Sequence, residues 1–434
     1  MTFVRKHKGN SFVKTISMVV GGTAFAQILT ILVSPILTRL YTPEQFGVYS
    51  AFMSVVNMLS ISASLDIQNA IPLEKDRKNA LHLLFTSVIV LIIVSLSFAV
   101  VFTFGDQLFY LLSKSESLNR YRYWVVIGIF TMGIYNIGMQ YAFKDENFKD
   151  ITITKYSQSI IGNGFKVISG IISNSSFGLL IGTILSQSVG TSRLFRKPIK
   201  DIKNTNYRFN YNESKKLIHH YRKFPLFSAP NNYVYTISTQ LPALMVIRIY
   251  GESISGNYSL ANTIINLPAV FLGTAIGQVF YARIAKYGKD DPDRLVSESK
   301  SILRKMIVIG GAIFGAAFLL APYLIPFIFG VKWKITSQFV QILSVNAFSS
   351  FIIQPIGRGL EIVNQQQIAL YFNLLRLGLI FIIFIYAEEK SLNVVKTLWI
   401  YSIVSGIIYI LCILNIFLQM KKYSISRKDE KEND

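Results

Sequence analysis

The 434-residue chain holds one cysteine, Cys412, four histidines, and 23 acidic residues against 44 basic ones. A single cysteine excludes an internal disulfide framework and any metal cluster built on thiolates. The histidines, at positions 7, 82, 219 and 220, never fall into an H-E-x-x-H spacing. The adjacent pair His219 and His220 diverges on a helix, so an interfacial role suits it better than metal ligation. No G-x-x-x-x-G-K-[ST] run occurs, which excludes ATP hydrolysis through a phosphate loop. Charged residues make up only 15% of the chain, against roughly 25% in a soluble domain.

What the chain has instead is apolar sequence. Hydrophobic residues account for 51% of it, in stretches of about 20 residues, long enough to cross a hydrocarbon core as helices. The pattern predicts an all-α membrane protein with twelve transmembrane helices, at 15–38, 47–73, 81–104, 122–143, 151–173, 176–195, 224–247, 255–282, 302–329, 338–360, 366–386 and 394–419. The basic start, FVRKHKGNSFVK, precedes an apolar run too long for a signal-peptide core and reads as an uncleaved first span. A net charge of +21 would suggest nucleic acid on a soluble domain. Here most Lys and Arg fall on one side if both termini are cytoplasmic, so the charge reports topology and attraction to anionic lipid, with no nucleic-acid partner.

The predicted organisation is an N-terminal six-helix bundle at 1–195, a basic cytoplasmic linker at 196–223, a C-terminal six-helix bundle at 224–420 and a charged tail at 421–434. An internal repeat supports the two halves. RLYTPEQFGVYS (39–50) returns as RIYGESISGNYS (248–259), with Arg39, Tyr41, Gly47, Tyr49 and Ser50 matching Arg248, Tyr250, Gly256, Tyr258 and Ser259. Asn57 matches Asn266 at the same offset, and Asn136 matches Asn346 one residue further on. Asn163 with Lys166 matches Asn373 with Arg376. Six spans per half start both halves on the same side, a parallel repeat of the kind transporters use.

The pair of intramembrane cations, Lys166 and Arg376, is the most informative feature. Each costs about 2.5 to 3.5 kcal/mol near a helix centre, so each should meet a wet cavity or a partner. Ser159, Asn163, Lys166 and Gly170 share one helical face. Two readings are open: internal pairing, for instance with Asp66, or a cavity that attracts an anionic substrate. Asn136, Gln140, Asn346, Asn373 and Gln354 would extend such a cavity, since amides offer sugar hydroxyls both donor and acceptor; the same amides serve helix packing equally well. In helix 10, Asn346, Ser350, Gln354 and Arg358 recur every four residues. Asp66 is the candidate for ion or proton coupling, with a salt bridge as the alternative. Arg39 and Arg248 are expected at the outer mouth, as snorkelling anchors or as a gate, with the neighbouring tyrosines in the aromatic belt.

The run SPILTRLYTPEQFGVYSAF (34–52), followed by a helix ending in DIQNAIPLEKDRKNA, resembles the Wzx-type O-antigen and repeat-unit flippases of the MOP superfamily. That resemblance implies a MATE-like fold of two pseudo-symmetric six-helix bundles. It implies alternating-access movement of undecaprenyl-diphosphate-linked oligosaccharide across the bacterial inner membrane, driven by a proton or sodium gradient and with no cofactor. A glycan polymerase and a chain-length regulator are the partners it suggests. Two rivals remain. A membrane-embedded glycan polymerase would carry its chemistry on a long outer loop, and the longest here, about 105 to 121, has no paired carboxylates and no nucleophile with a base. A multidrug cation antiporter of the same superfamily would need an acidic or aromatic cavity, not a cationic one.

Overall fold

The first copy of the repeated motif shows how local chemistry sets the architecture. Leu40 ends one helix and Thr42 caps the next: its hydroxyl accepts from the Gln45 amide while the Gln45 side chain accepts from the Thr42 amide, with Pro43 in the first turn. This capping box satisfies amides that a helix start leaves bare. The second copy breaks differently. One helix, Ala229–Pro268, runs through it, interrupted at Gly251, whose φ of 83° favours glycine.

The computed structural model describes residues 3–61, 63–173, 175–273, 276, 277, 280, 292–357, 360 and 365–433. Among these it is all helix and turn, in two compact units, Met1–Thr236 with Gly251–Ser253, and Ile237–Tyr250 with Ile254–Asp434. The first unit contains α1 (Phe3–Leu40), α2 (Pro43–Ser60), α3 (Arg77–Phe104), the short α4 (Asp106–Ser113) and α5 (Glu116–Arg120), α6 (Arg122–Lys144), α7 (Phe148–Ile172) and α8 (Phe177–Ser188). It closes with α9 (Thr191–Leu194), α10 (Arg196–Asn204) and α11 (Tyr211–His220). Helix α1 packs along α7, α7 along α8, and α3 along α6. After α12 (Ala229–Pro268), the second unit has α13 (Pro292–Phe329), α14 (Lys334–Gly357), α15 (Gln366–Glu389) and α16 (Val394–Asn433), with α14 packed against both α13 and α16.

Seven stretches among the described residues are long and apolar enough to cross a membrane: Gly21–Leu40, Arg77–Phe104, Arg122–Lys144, Asp293–Phe329, Val331–Gly357, Gln367–Glu389 and Val394–Ser426. Large apolar side chains stand exposed along them, Ile93, Leu96 and Val100 on α3 and Leu319, Tyr323 and Phe327 on α13. On a helix that already satisfies its own backbone, such a surface belongs in lipid. The other expected spans fall short for visible reasons. Helix α7 carries the polar face that holds Lys155, Asn163 and Lys166. Helix α8 has 12 residues, about 18 Å, because the chain turns at Gly190 with φ 76° instead of continuing to 195.

Two expectations need correction. The second span does not run as one helix from 47 to 73: α2 ends at Ser60, and Leu65 and Asp66 take left-handed φ before a 3₁₀ turn at Ile67–Leu73. The motif tyrosines do not form an aromatic belt either. Tyr41 is 0% exposed, and its hydroxyl donates 2.7 Å to the Lys166 carbonyl. The expected helix 8 extends beyond the described residues, and Arg358 lies outside them.

Candidate functional site

Helical spacing places Lys155, Ser159, Gly162 and Lys166 on one line of α7, four or three residues apart. The facing line on α1 is Thr23, Gln27 and Thr30. Together with Gln158, Asn163 and Ser186 of α8, these side chains line an open cavity of about 290 Å³. Two ammonium groups, three amides and several hydroxyls line it, and among the described residues no carboxylate does.

Hydrogen bonds hold the lining in place. Lys155 Nζ donates 2.5 Å to the Thr23 hydroxyl. Ser159 Oγ donates to the Ala26 carbonyl at 2.9 Å, while Asn163 Nδ2 donates to the Ser159 carbonyl at 2.9 Å and to Thr30 Oγ1 at 3.2 Å. Lys166 Nζ lies 3.2 Å from the Tyr49 hydroxyl and 4.9 Å from that ring's centroid, a contact worth about 0.5 to 2 kcal/mol. Thr183 of α8 reaches the same hydroxyl at 3.2 Å. Close approach of α7 and α8 makes this possible. A Cβ at Gly182 would sit 2.6 Å from Lys166 Cγ, and one at Gly162 would sit 2.6 Å from Ser186 Cβ.

The second unit treats its cation differently. Arg376 is 4% exposed; its Nη2 donates 2.6 Å to Ser238 Oγ, and its guanidinium lies 5.1 Å from the Tyr409 ring centroid. Its charge also acts on Tyr258 and Tyr401, which hydrogen-bond to each other. Tyr258 is the repeat partner of Tyr49, and the hydroxyl of Tyr401 that it meets also accepts from Asn346 Nδ2. Asn346 Nδ2 reaches the Tyr401 hydroxyl at 3.4 Å and its backbone amide donates to Ser402 Oγ at 3.2 Å. That amide therefore ties α14 to α16.

Of the residues singled out by sequence, Lys166 and Asn163 come together in the cavity. Asn136, Gln140 and Asn373 are half-buried and Gln354 is exposed beside Gly273; none of the four lines it. Asp66 does not pair with Lys166. It is buried, and Asn232 Nδ2 donates to its Oδ2 at 2.7 Å. Arg39 is exposed in the last turn of α1, whereas Arg248 forms a salt bridge with Glu388 at 3.2 Å. Lys155, Gln27, Gln158 and Tyr49 are the site residues that sequence reading missed. The Thr23, Gln27, Thr30 line was the available signal, a polar stripe of helical period in an apolar span.

A sequence model described as polysaccharide biosynthesis protein matches residues 36–338. The chain belongs to that family. Within the polysaccharide biosynthesis family, it is 23% identical to an uncharacterized membrane protein in the cps region of Klebsiella pneumoniae, over 83% of this chain and 72% of the relative. It is 20% identical to the succinoglycan biosynthesis transport protein ExoT of Rhizobium meliloti, over 79% and 67%. With the lipopolysaccharide biosynthesis protein WzxC of Escherichia coli K12 it shares 24% identity over 36% of this chain and 31% of the relative, so it spans less than a third of that protein. The fold is that of the lipid II flippase MurJ in an inward closed conformation, with a TM-score of 0.71, 16% identity and coverage of 94% and 90%. An inward-facing MATE multidrug transporter of the MOP superfamily follows at 0.65, 16% identity and coverage of 93% and 96%. The chain is thus a multi-pass membrane protein of the polysaccharide biosynthesis family, with a fold that a flippase and a multidrug transporter share.

Proposed function

We propose that the chain flips undecaprenyl-diphosphate-linked oligosaccharide, a repeat unit of O-antigen or a related surface polysaccharide, across the bacterial inner membrane by alternating access. The observation that carries this reading is the cavity between α1, α7 and α8, with Lys155 and Lys166 among amides and hydroxyls and no carboxylate among its described lining. A diphosphate sugar cannot shed its water in hydrocarbon; fixed cations and amide dipoles replace that water, while the polyprenyl tail stays in lipid. The names of relatives in lipopolysaccharide and succinoglycan biosynthesis support the same substrate class.

The topology that fits is twelve spans in two six-helix bundles joined by the 196–223 linker, with both termini cytoplasmic. A proton or sodium gradient supplies the drive, and a polymerase and a chain-length regulator receive the product. Asp66 is retained as the coupling carboxylate, Arg376 and the amides Asn136, Gln140, Asn346, Asn373 and Gln354 as second contacts, and Arg39 and Arg248 as outer-mouth residues. A multidrug cation antiporter is the weaker reading, since two ammonium groups repel a cationic drug.

The test is complementation of a strain lacking the chain. Lys166→Ala combined with Arg376→Ala is expected to abolish surface glycan while membrane protein level is retained. Normal surface glycan in that double variant contradicts the reading.

A further inference from the structure

The basic linker is not a loose tether. Asp201 of α10 is 0% exposed; its Oδ1 accepts from Arg77 Nη1 at 3.0 Å and pairs with Lys197 Nζ at 3.3 Å, and its Oδ2 accepts from the Tyr141 hydroxyl at 2.9 Å. Further on, the Tyr207 hydroxyl lies 3.0 Å from His82 Nδ1 with its ring stacked on Phe85, and the Tyr221 hydroxyl donates 2.8 Å to Glu74. Arg77 begins the α3 span, and Tyr141 stands in the last turn of the α6 span, which ends at Lys144. Helix α10 is therefore fixed at the level where two membrane helices leave the hydrocarbon.

Fixing one face determines the other. Pro198 and Asp201 are buried, so Arg196, Lys200 and Lys203 form an outward line at i, i+4 and i+7, with Ile199 exposed between them. Phe209 and Tyr211 are exposed in the segment that follows. Cations interleaved with apolar and aromatic side chains at the hydrocarbon boundary match a leaflet of anionic headgroups. The alkyl and ring parts enter the interface and the charges meet phosphate.

We propose that the outward face of α10 binds the phosphates of anionic lipids and docks the linker on the bilayer. The proposal rests on the orientation given above only for which leaflet is bound, the cytoplasmic one. The full-length protein is compared in lipid nanodiscs of pure phosphatidylcholine and of phosphatidylcholine with about one-third phosphatidylglycerol. Hydrogen exchange is followed across residues 196–210.

Anionic discs are expected to slow exchange there on the order of tenfold at low salt, with the effect shrinking as salt rises. Arg196→Gln, Lys200→Gln and Lys203→Gln together are expected to remove the slowing, while Lys390→Gln, at the end of α15, keeps it. Equal thermal stability of the triple variant and the parent in neutral discs shows that the fold is intact. Equal exchange in both discs, persistent slowing in the triple variant, or equal slowing by inorganic phosphate in neutral discs overturns the proposal. A separate arm labels Asn204→Cys, in a Cys412→Ser background, with an impermeant thiol reagent on intact cells. Labelling from outside overturns the leaflet and the orientation without touching the disc result.

Discussion

Lys166 on α7 and Tyr49 on α2 meet at 3.2 Å, joining the repeated cation of the first unit to the last tyrosine of the repeated motif. The pair explains how one motif recurs with one cation. This lysine is held over a ring and capped by a hydroxyl, with no carboxylate in the described lining of its cavity, and so remains available to an anion that enters there. Arg376, at the equivalent position, is held over a different ring, that of Tyr409, and donates to Ser238.

Tyr49→Phe removes the hydroxyl and keeps the ring, so it should leave Lys166 in place at a cost of about 1 kcal/mol or less. Transport should fall only a few-fold, whereas Lys166→Ala should lower it by tenfold to roughly hundredfold. Initial rates of glycan appearance at the surface, normalised to protein level, check the ranking. Equal losses would mean that Tyr49 contacts substrate itself.

Gly182→Val tests the close approach of α7 and α8. A Cβ there falls 2.6 Å from Lys166 Cγ, so the lysine stem has to move, and overpacking of this kind costs about 1 to 3 kcal/mol. The expected result is lost transport with folded protein still in the membrane. Gly164→Ala, where nothing lies within reach of the added methyl, should transport normally.

How much of this was legible in the sequence depends on range. Lys166 and Asn163 were readable because a costly charge in an apolar span and a 3.6-residue period are local signals. Lys155 was not, because a lysine near the end of a span looks like ordinary topological charge until Thr23 is found opposite it. Tyr41 suits an aromatic belt by composition, and only its packing onto α7 buries it. Asp201 sits in a basic run where an acid has no visible role. Its value appears once Arg77 and Tyr141, distant in sequence, converge on it. Long-range packing also decides what the amides touch: Asn346 hydrogen-bonds to Tyr401 and Ser402 of α16, and Gln354 lies exposed.

Asp201→Ala should release the linker from the first unit. Removing a buried acceptor leaves Tyr141 and Lys197 without their partner, and a half-exposed Arg77 dilutes the loss, so about 1 to 3 kcal/mol is expected. Limited proteolysis should cut within 196–223 faster in the variant than in the parent. Unchanged cutting would show that the Tyr207 and Tyr221 contacts suffice.

The Arg248 to Glu388 pair should matter little for stability. Both side chains are partly exposed, 25% and 31%, and such pairs contribute under about 1 kcal/mol. A double-mutant cycle with Arg248→Gln and Glu388→Gln, read by thermal unfolding in detergent, should give a small coupling that vanishes in high salt. A large, salt-independent coupling would mark the pair as a structural lock.

The most direct measurement uses purified protein in liposomes that carry an undecaprenyl-diphosphate-linked oligosaccharide in one leaflet. Its arrival in the other leaflet is read by an impermeant enzyme that cleaves the glycan. The wild type should move it, and Lys155→Gln with Lys166→Gln should slow movement at least tenfold without loss of fold. Undiminished movement in that double variant would contradict the assignment of the α1, α7 and α8 cavity as the substrate site.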